Sequence, residues 1–188
     1  MIYFTSDYHF CHNKEFLYKP RGFDTIEEMN EAIVENHNKI INHNDDVYIL
    51  GDLMLNDNDM GLSLIQRLNG KIHIILGNHD TDNRIQLYQT CDNVSSIAIA
   101  ERLHYKKYHF FLSHYPSFTG NLQKESLHQM TLNLYGHTHQ KTNFFENYFF
   151  MYHVGVDSHN CYPISIDNII EDIKERKYQY ENEQDILP

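Results

Sequence analysis

Apolar runs that end in turn residues alternate with helical patterns along the first half of the chain. The runs that predict buried strands are residues 2–5, 46–50 and 71–76. Residues 25–42 predict a helix, because Ile26, Met29 and Ile33 recur at helical spacing behind a capping box that begins at Thr25. Weaker helical patterns cover residues 59–68 and 82–90. The first half is therefore typical of repeated strand–helix units.

The second half of the chain is richer in strands. The predicted strands are residues 96–104, 107–114, 132–135, 143–145 and 148–154. Residues 167–177 predict a final amphipathic helix, with Ile169, Ile170 and Ile173 on its apolar face. This order of elements predicts a layered α/β fold with two sheets and helices outside them.

Length and composition favour one globular domain. The 188 residues are 41% hydrophobic and include 14 Tyr and 11 Phe, enough apolar material for one core. We expect a single domain over residues 1–188, with a polar, frayed tail at 181–188.

The charge of the chain limits its partners. The formal net charge is −11, and no run of Lys or Arg exceeds the two residues Lys106-Lys107. Proteins that grip long nucleic acids need a basic surface, so long duplexes are excluded as expected partners. The acidic net charge is compatible with a small anionic substrate, provided that a bound metal supplies local positive charge.

Cysteine usage and hydropathy point to the cytoplasm. The three cysteines, Cys11, Cys91 and Cys161, are widely spaced and form no CxxC motif, which fits a reducing compartment. The N-terminal sequence MIYFTSDYHF lacks the features of a signal peptide. No apolar stretch approaches the ~18 residues of a membrane span. We therefore expect a cytoplasmic protein without a membrane partner.

Five predicted strands end in, or are followed within two residues by, Asp, Asn or His. The segments are Asp7-Tyr8-His9, Gly51-Asp52, Gly77-Asn78-His79-Asp80, Ser113-His114 and Gly136-His137-Thr138-His139. The carboxyl ends of strands are where open α/β sheets place their sites. Carboxylate, amide and imidazole ligands suit Mn, Fe, Zn or Co. No thiolate is offered by these segments, so a structural zinc site of the cysteine type is not indicated.

The spacing of the histidines suggests two metal ions. An extended segment would place His137 and His139 on one side, where each imidazole serves one of two neighbouring ions. The pair Asp7 and His9 repeats this spacing, and the carboxylate of Asp52 has two oxygens that can bridge. The candidate metal ligands are Asp7, His9, Asp52, Asn78, His114, His137 and His139. Two ions ~3.5–4 Å apart clamp the attacking and leaving oxygens of a displacement at phosphorus.

These five motifs, in this order, resemble the calcineurin-like metallophosphoesterases, and among them the short, stand-alone bacterial and phage members. The resemblance runs from residue 2 to about residue 157. It implies a four-layer αββα sandwich with two mixed β-sheets and helices outside. It also implies two divalent metal ions as cofactors, with Mn first and Fe, Zn, Co or Ni as alternatives.

The resemblance also implies roles for individual residues. One metal would be held by Asp7, His9, Asp52 and His139, and the other by Asp52, Asn78, His114 and His137. A metal-bound hydroxide would attack phosphorus, and His79 would act as the general acid that assists the leaving group. Asp80 would orient the imidazole of His79.

Three further residues are candidates for substrate binding. His12 lies three positions after a candidate ligand, Arg21 could bind phosphate bidentately, and Tyr115 follows His114 directly. Each has a plainer interpretation as a surface or packing residue. Asp157 is a candidate support for the ligand loops.

The leading hypothesis is a metal-dependent phosphodiesterase acting on a small or nucleotide-like phosphoester. A phosphomonoesterase, including a nucleotide or protein phosphatase, is the alternative, because the same metals serve both reactions. The shortage of cationic groups near the motifs favours diesters. A non-catalytic, metal-binding interaction scaffold is a third hypothesis, which the complete ligand set disfavours.

Overall fold

The computed structural model describes residues 1–120 and 126–184, and the elements follow the predicted order. The strands are β1 (Ile2–Thr5), β2 (Asp46–Ile49), β3 (Lys71–Ile75), β4 (Val94–Ala98), β5 (Ala100–Tyr105), β6 (Tyr108–Ser113), β7 (Thr131–Tyr135), β8 (Phe144–Phe145), β9 (Tyr148–His153) and β10 (Ile164–Ser165). The helices are α1 (Glu15–Tyr18), α2 (Ile26–Ile40), α3 (Asn58–Gln66), α4 (Asp82–Tyr88) and α5 (Ile166–Gln184).

The first sheet has the strand order β10-β1-β2-β3-β4. Strands β1 to β4 run parallel, and β10 pairs with β1 in the antiparallel direction. Alternate residues of β2 point to opposite faces, so Val47 and Ile49 join a core cluster with α2 and α3. Tyr48, on the opposite face, joins a second cluster with Phe110 and Leu132 of the other sheet.

The second sheet has the strand order β5-β6-β7-β9-β8. Strands β6, β7 and β9 are parallel, while the two edge strands pair in the antiparallel direction. Helix α5 buries Ile166, Ile169, Ile170 and Ile173 in the core cluster that joins the two sheets. The expected class, an α/β fold with two mixed sheets and helices, is confirmed.

The start of α2 confirms the predicted capping box. The side chain of Thr25 accepts a hydrogen bond from the backbone N–H of Glu28, and the Glu28 carboxylate accepts one from the backbone N–H of Thr25. Each side chain thereby satisfies an N–H group that the first helical turn leaves without a partner.

The prediction of one strand at residues 96–104 was wrong. The segment divides at Ile99, so that β4 closes the first sheet and β5 opens the second. Both halves have strand-like sequence, and periodicity does not reveal the sheet to which a strand belongs.

The final helix is longer than the sequence indicated. The helix continues to Gln184, so residues 181–184 are helical, and the rest of the expected frayed tail, residues 185–188, lies outside the described residues. Over the described ranges 1–120 and 126–184, no helix has the length and apolar character that crossing a bilayer requires.

Candidate metal centre

The candidate ligands lie in the loops at the carboxyl ends of five strands. Asp7 and His9 follow β1, Asp52 follows β2, Asn78 follows β3, His114 follows β6, and His137 and His139 follow β7. Parallel pairing brings the ends of β1, β2 and β3 together, and likewise those of β6 and β7. The two sheets present these ends at one place, so ligands more than a hundred residues apart in sequence become neighbours.

A first cluster consists of Asp7, His9 and His139. Nε2 of His9 and Nε2 of His139 are 3.1 Å apart, and each lies 3.8 Å from Oδ1 of Asp7. The three ligand atoms lie close enough together to hold one metal ion. Because Asp7 and His9 are buried, an ion here would be shielded from bulk water on the protein side.

A second cluster adjoins the first through Asp52. Oδ2 of Asp52 is 3.7 Å from Nε2 of His9 and 3.5 Å from Nε2 of His114. Oδ1 of Asn78 lies 3.0 Å from Nε2 of His114 and 3.0 Å from Nδ1 of His137. The carboxylate of Asp52 therefore lies between the two groups of ligands. A further set that could hold an ion comprises Asp7, Asp52 and His114.

The ligand loops depart from the extended geometry that the spacing of His137 and His139 suggested. The backbone φ angles are 58° at Asp7, 50° at His9 and 56° at Asp52, and they are 69° at His137 and 49° at His139. These residues adopt left-handed conformations, which are costly for residues other than glycine and are concentrated at functional sites. The expectation of an extended segment is corrected, because a bend places His137 in the second cluster and His139 in the first.

Gly51 allows these loops to approach one another. Its φ of +90° favours glycine, and a Cβ there would lie 2.5 Å from Nδ1 of His114 and 2.7 Å from the backbone nitrogen of Gly77. A side chain at position 51 would therefore separate the loops that carry Asp52, Asn78 and His114.

Hydrogen bonds fix the orientation of two candidate ligand imidazoles. Nδ1 of His114 lies 2.7 Å from the carbonyl oxygen of Leu50, and Nδ1 of His139 lies 2.8 Å from Oδ2 of Asp157. Both partners are acceptors, so each Nδ1 carries the proton and each Nε2 presents its lone pair to the cluster. This arrangement is the usual support of a metal-binding histidine.

The electrostatics of the site favour cation binding. Burial lowers the pKa of His9 well below its ordinary value, and the neighbouring His139 lowers it further, so the imidazole of His9 is neutral and free to bind a cation. Burial also raises the pKa of Asp52, because its charge is poorly solvated. A divalent cation would relieve both effects by replacing the lost solvation.

Within the described part of the chain, two buried atoms of the first cluster lack partners, and this observation fits a bound metal ion. Oδ1 of Asp7 and Nδ1 of His9 are buried and have no hydrogen-bond partner among the described residues. A buried carboxylate oxygen without a partner is costly, and a cation next to the Nε2 atoms of His9 and His139 would satisfy it.

Asp80 does not have the role expected of it. Oδ2 of Asp80 accepts hydrogen bonds from the backbone N–H groups of Asp52 (2.9 Å) and Gly77 (2.8 Å), and Oδ1 accepts one from the hydroxyl of Tyr88 (2.8 Å). The carboxylate therefore ties together the loops after β2 and β3. The expectation that Asp80 orients the imidazole of His79 is corrected, since these backbone amides are its partners.

His79 lies at the open side of the cluster. Its side chain is 40% exposed, and its Nε2 is 3.9 Å from Oδ2 of Asp52. The backbone holds it in place, because its N–H donates to Oδ1 of Asp52 and its carbonyl accepts from Arg84. The position is compatible with contact to a substrate bound over the ligands.

Arg21 is not available to a substrate. Its guanidinium is buried and makes two hydrogen bonds to the carboxylate of Asp157, at 3.0 Å and 2.8 Å. The expectation that Arg21 binds phosphate is corrected, because the loop folds inward and brings Arg21 beneath the first cluster. Asp157 supports the ligand loops as the sequence suggested.

The other two candidate substrate contacts flank the site. The ring of His12 lies 5.4 Å from that of His9 and 6.4 Å from that of His79. The ring of Tyr115, which is 49% exposed, lies 4.7 Å from that of His137. Sequence reasoning missed Tyr88 and Arg84, which support the site from α4, because residues that hold a backbone group carry no motif.

Comparisons with known proteins identify relatives of this chain. No family model matches the sequence. An uncharacterized protein of Methanocaldococcus jannaschii is 33% identical over 186 residues, covering 94% of this chain and 93% of that protein. A crystal structure of a protein of unknown function from Aquifex aeolicus has the same fold, with a TM-score of 0.69 at 23% identity, over 91% of this chain and 98% of that chain.

Two phosphoesterase structures are similar at a lower level. An archaeal phosphodiesterase superposes with a TM-score of 0.43 at 19% identity, over 82% of this chain and 81% of that chain. A phosphoesterase from E. coli superposes with a TM-score of 0.46 at 20% identity, over 88% of this chain and 81% of that chain.

Proposed function

The chain belongs to the same family as the uncharacterized Methanocaldococcus jannaschii protein, and we propose that it is a dinuclear metal-dependent phosphoesterase of the calcineurin-like type. Its preferred substrates would be small or nucleotide-like phosphodiesters. The proposal rests on the motifs that carry the resemblance and on the geometry of the two ligand clusters.

The position of Asp52 carries this proposal. Its Oδ2 is 3.7 Å from Nε2 of His9 in one cluster and 3.5 Å from Nε2 of His114 in the other. A carboxylate between two sets of imidazole and amide ligands is suited to bridge two cations. A structural site would instead be closed and usually rich in thiolates.

The residues divide into those that bind metal and those that face the substrate. Two bound cations, with Mn²⁺ the first candidate, would neutralise charge on the phosphoryl oxygens and lower the pKa of water from 15.7 to about 7. His79 reaches the open side and would donate a proton to the leaving oxygen. Backbone hydrogen bonds from the N–H of Asp7 to the carbonyl of Gly51 and from the N–H of His9 to the carbonyl of Asp52 hold these loops in place before the substrate arrives.

The burial of Arg21 favours diesters over monoesters. A terminal phosphate dianion gains from a guanidinium that binds two of its oxygens. The guanidinium of Arg21 binds Asp157 instead. A diester has one negative charge and two organic groups. His12, beside His9, and the exposed ring of Tyr115, beside His137, would contact these groups.

Hydrolysis of matched chromogenic esters tests the proposal. Bis(p-nitrophenyl) phosphate and p-nitrophenyl phosphate would be incubated with Mn²⁺ or with chelator, using the wild type, Asp52→Asn and His79→Ala. His43→Ala, which changes an exposed histidine, is the control. We expect diester turnover that requires metal, is retained in the control and is lost in Asp52→Asn.

The remaining outcomes separate the alternatives. A faster reaction with the monoester would support a phosphomonoesterase. A folded protein that binds metal and hydrolyses neither ester would contradict the esterase proposal and favour the scaffold hypothesis. Retention of full activity by His79→Ala would remove His79 from the reaction while leaving the metal centre in place.

A further inference from the structure

Arg21 is at the centre of a buried network beneath the first cluster. Its side chain is 1% exposed, and that of Asp157 is 6% exposed. Nε of Arg21 lies 3.0 Å from Oδ1 of Asp157, and Nη2 lies 2.8 Å from Oδ2. The planar guanidinium thus binds both oxygens of the carboxylate, the arrangement that fixes their relative orientation most strongly.

Asp157 in turn orients the candidate metal ligand His139. Its Oδ2 is 2.8 Å from Nδ1 of His139, whereas Nη2 of Arg21 is 3.3 Å from the same nitrogen. A carboxylate oxygen accepts hydrogen bonds and cannot donate them when ionised, so the shorter contact requires a proton on Nδ1. That tautomer leaves the lone pair of Nε2 directed at Asp7 and His9.

Arg21 also holds the loop that carries the other candidate ligands of this cluster. Nη2 donates to the backbone carbonyl of Asp7 at 3.0 Å, and Nη1 donates to that of Tyr8 at 3.3 Å. One guanidinium therefore links the loop after β1, the loop after β7 and the loop that follows β9.

We propose that Arg21 and Asp157 are positioning residues for the first metal ion, which set the affinity of the Asp7–His9–His139 cluster and leave that of the second cluster unchanged. The inference rests on the metal centre of the proposed function. Neither residue touches the substrate. Asp157 acts through His139, and Arg21 acts through Asp157 and through the backbone of Asp7.

The second cluster has its own support, which makes the proposal selective. Nδ1 of His114 binds the carbonyl oxygen of Leu50, and the backbone N–H of Asp52 binds Asp80. Neither hydrogen bond involves Arg21 or Asp157. His139 is not among the candidate ligands of the second cluster, so loss of the hydrogen bond from His139 to Asp157 should weaken one of two metal equivalents, whereas a general loss of structure would weaken both.

Calorimetric titration of chelator-treated protein with Mn²⁺ tests this selectivity. The wild type should take up two equivalents. In Asp157→Asn, the affinity for one equivalent should fall about 10- to 100-fold, the usual effect of removing a ligand's hydrogen-bond partner, and the other should not change. Asp167→Asn is the matched control, because Asp167 accepts hydrogen bonds from Lys106 and Tyr105 at the surface.

A double variant identifies the affected equivalent. His139→Gln should weaken the same equivalent, and adding Asp157→Asn should weaken it no further, because Asp157 acts through His139. Additive losses, equal weakening of both equivalents, or unchanged binding by Asp157→Asn would overturn the inference. If the wild type takes up no metal, the proposed function and this inference both fail. If the wild type takes up two equivalents and the variants do not behave as expected, only this inference fails.

A measurement on the wild type tests the inference even if Asp157→Asn does not fold. Nitrogen NMR shifts of the histidine rings, recorded without metal at a pH where imidazoles are neutral, report which nitrogen is protonated. His139 would be assigned by comparison with His139→Gln. The inference expects the Nδ1–H tautomer, and an Nε2–H tautomer would overturn it whatever the variants do.

Discussion

The hydroxyl of Tyr88 donates a hydrogen bond of 2.8 Å to Oδ1 of Asp80, and both side chains are buried. The other oxygen of Asp80 accepts from the backbone N–H groups of Asp52 and Gly77. Helix α4 is thereby connected through one carboxylate to the loop that carries the candidate bridging ligand. Tyr88 thus supports the candidate metal centre from outside the set of candidate ligands.

Tyr88→Phe should destabilise the protein by about 1.5–3 kcal/mol, because the change removes a buried hydrogen bond to a charged group. The free energy of unfolding, from urea denaturation of chelator-treated protein, measures this loss. Tyr178→Phe in α5 is the matched control, since Tyr178 is exposed. Equal stability of the two variants would mean that Asp80 does not depend on Tyr88.

Gly136→Ala should abolish binding at the first cluster. A Cβ at this position would lie 2.6 Å from Oδ2 of Asp7 and 2.7 Å from Cβ of Ser6, closer than real Cβ atoms approach other atoms. Either the loop after β1 or the loop after β7 must then shift, which separates Asp7 from His139. Metal content after dialysis against Mn²⁺ checks the prediction, and two equivalents in a folded Gly136→Ala protein would contradict it.

Protonation of His37 should destabilise the protein in acid. Nδ1 of His37 accepts from the hydroxyl of Tyr8, Nε2 donates to the carbonyl of Asn69, and burial lowers the pKa of His37 from 6.5 to about 4. Between these two values the unfolded chain binds a proton that the folded chain does not. The free energy of unfolding should therefore rise with pH across this window, by at most about 3 kcal/mol from this group.

Urea denaturation across this pH range, without metal, measures the effect of His37. His37→Gln keeps one donor and one acceptor but does not titrate, so its stability should depend less on pH than that of the wild type. His153, whose pKa burial also lowers to about 4, would account for part of the remaining slope. His43→Gln is the control, and a slope as steep in His37→Gln as in the wild type would refute the prediction.

Metal should stabilise the folded protein, because the unfolded chain does not hold the ligands together. At a free concentration 100 times the dissociation constant, each site contributes about 2.7 kcal/mol. Thermal unfolding with Mn²⁺ and with chelator measures the shift in Tm. Asp52→Asn should lose most of this metal-dependent shift in Tm. The control Asp46→Asn, which changes a carboxylate near His73, should keep the shift. An identical Tm with and without metal would count against the centre.

Tyr115→Ala should raise KM for an aromatic diester and leave the metal content at two equivalents. The exposed ring packs against His137 and, under the proposed function, would contact one organic group of the substrate. Steady-state kinetics with bis(p-nitrophenyl) phosphate measure KM, and Phe118→Ala is the control, because Phe118 packs instead against Tyr148 and Phe150. An unchanged KM would remove Tyr115 from the substrate site.

The local pattern of the chain determined most of the elements. Apolar runs that end in Asp, Asn or His marked the strand ends, and Thr25 with Glu28 marked the start of α2, because each signal lies within a few residues. The division at Ile99 was not detectable, since the two halves differ only in the sheet that they join. Composition and periodicity describe neighbours in sequence, and sheet membership depends on distant strands.

The sequence by itself determined which residues could bind metal, because residue type and position after a strand are local properties. Only the tertiary structure decided what Arg21 and Asp80 do. Arg21 binds Asp157, which is 136 residues away, and Asp80 binds the backbone of Asp52 and the hydroxyl of Tyr88. A buried charged side chain binds the polar partner that tertiary packing places within hydrogen-bond distance. That partner depends on how the loops pack, which no short stretch of sequence contains.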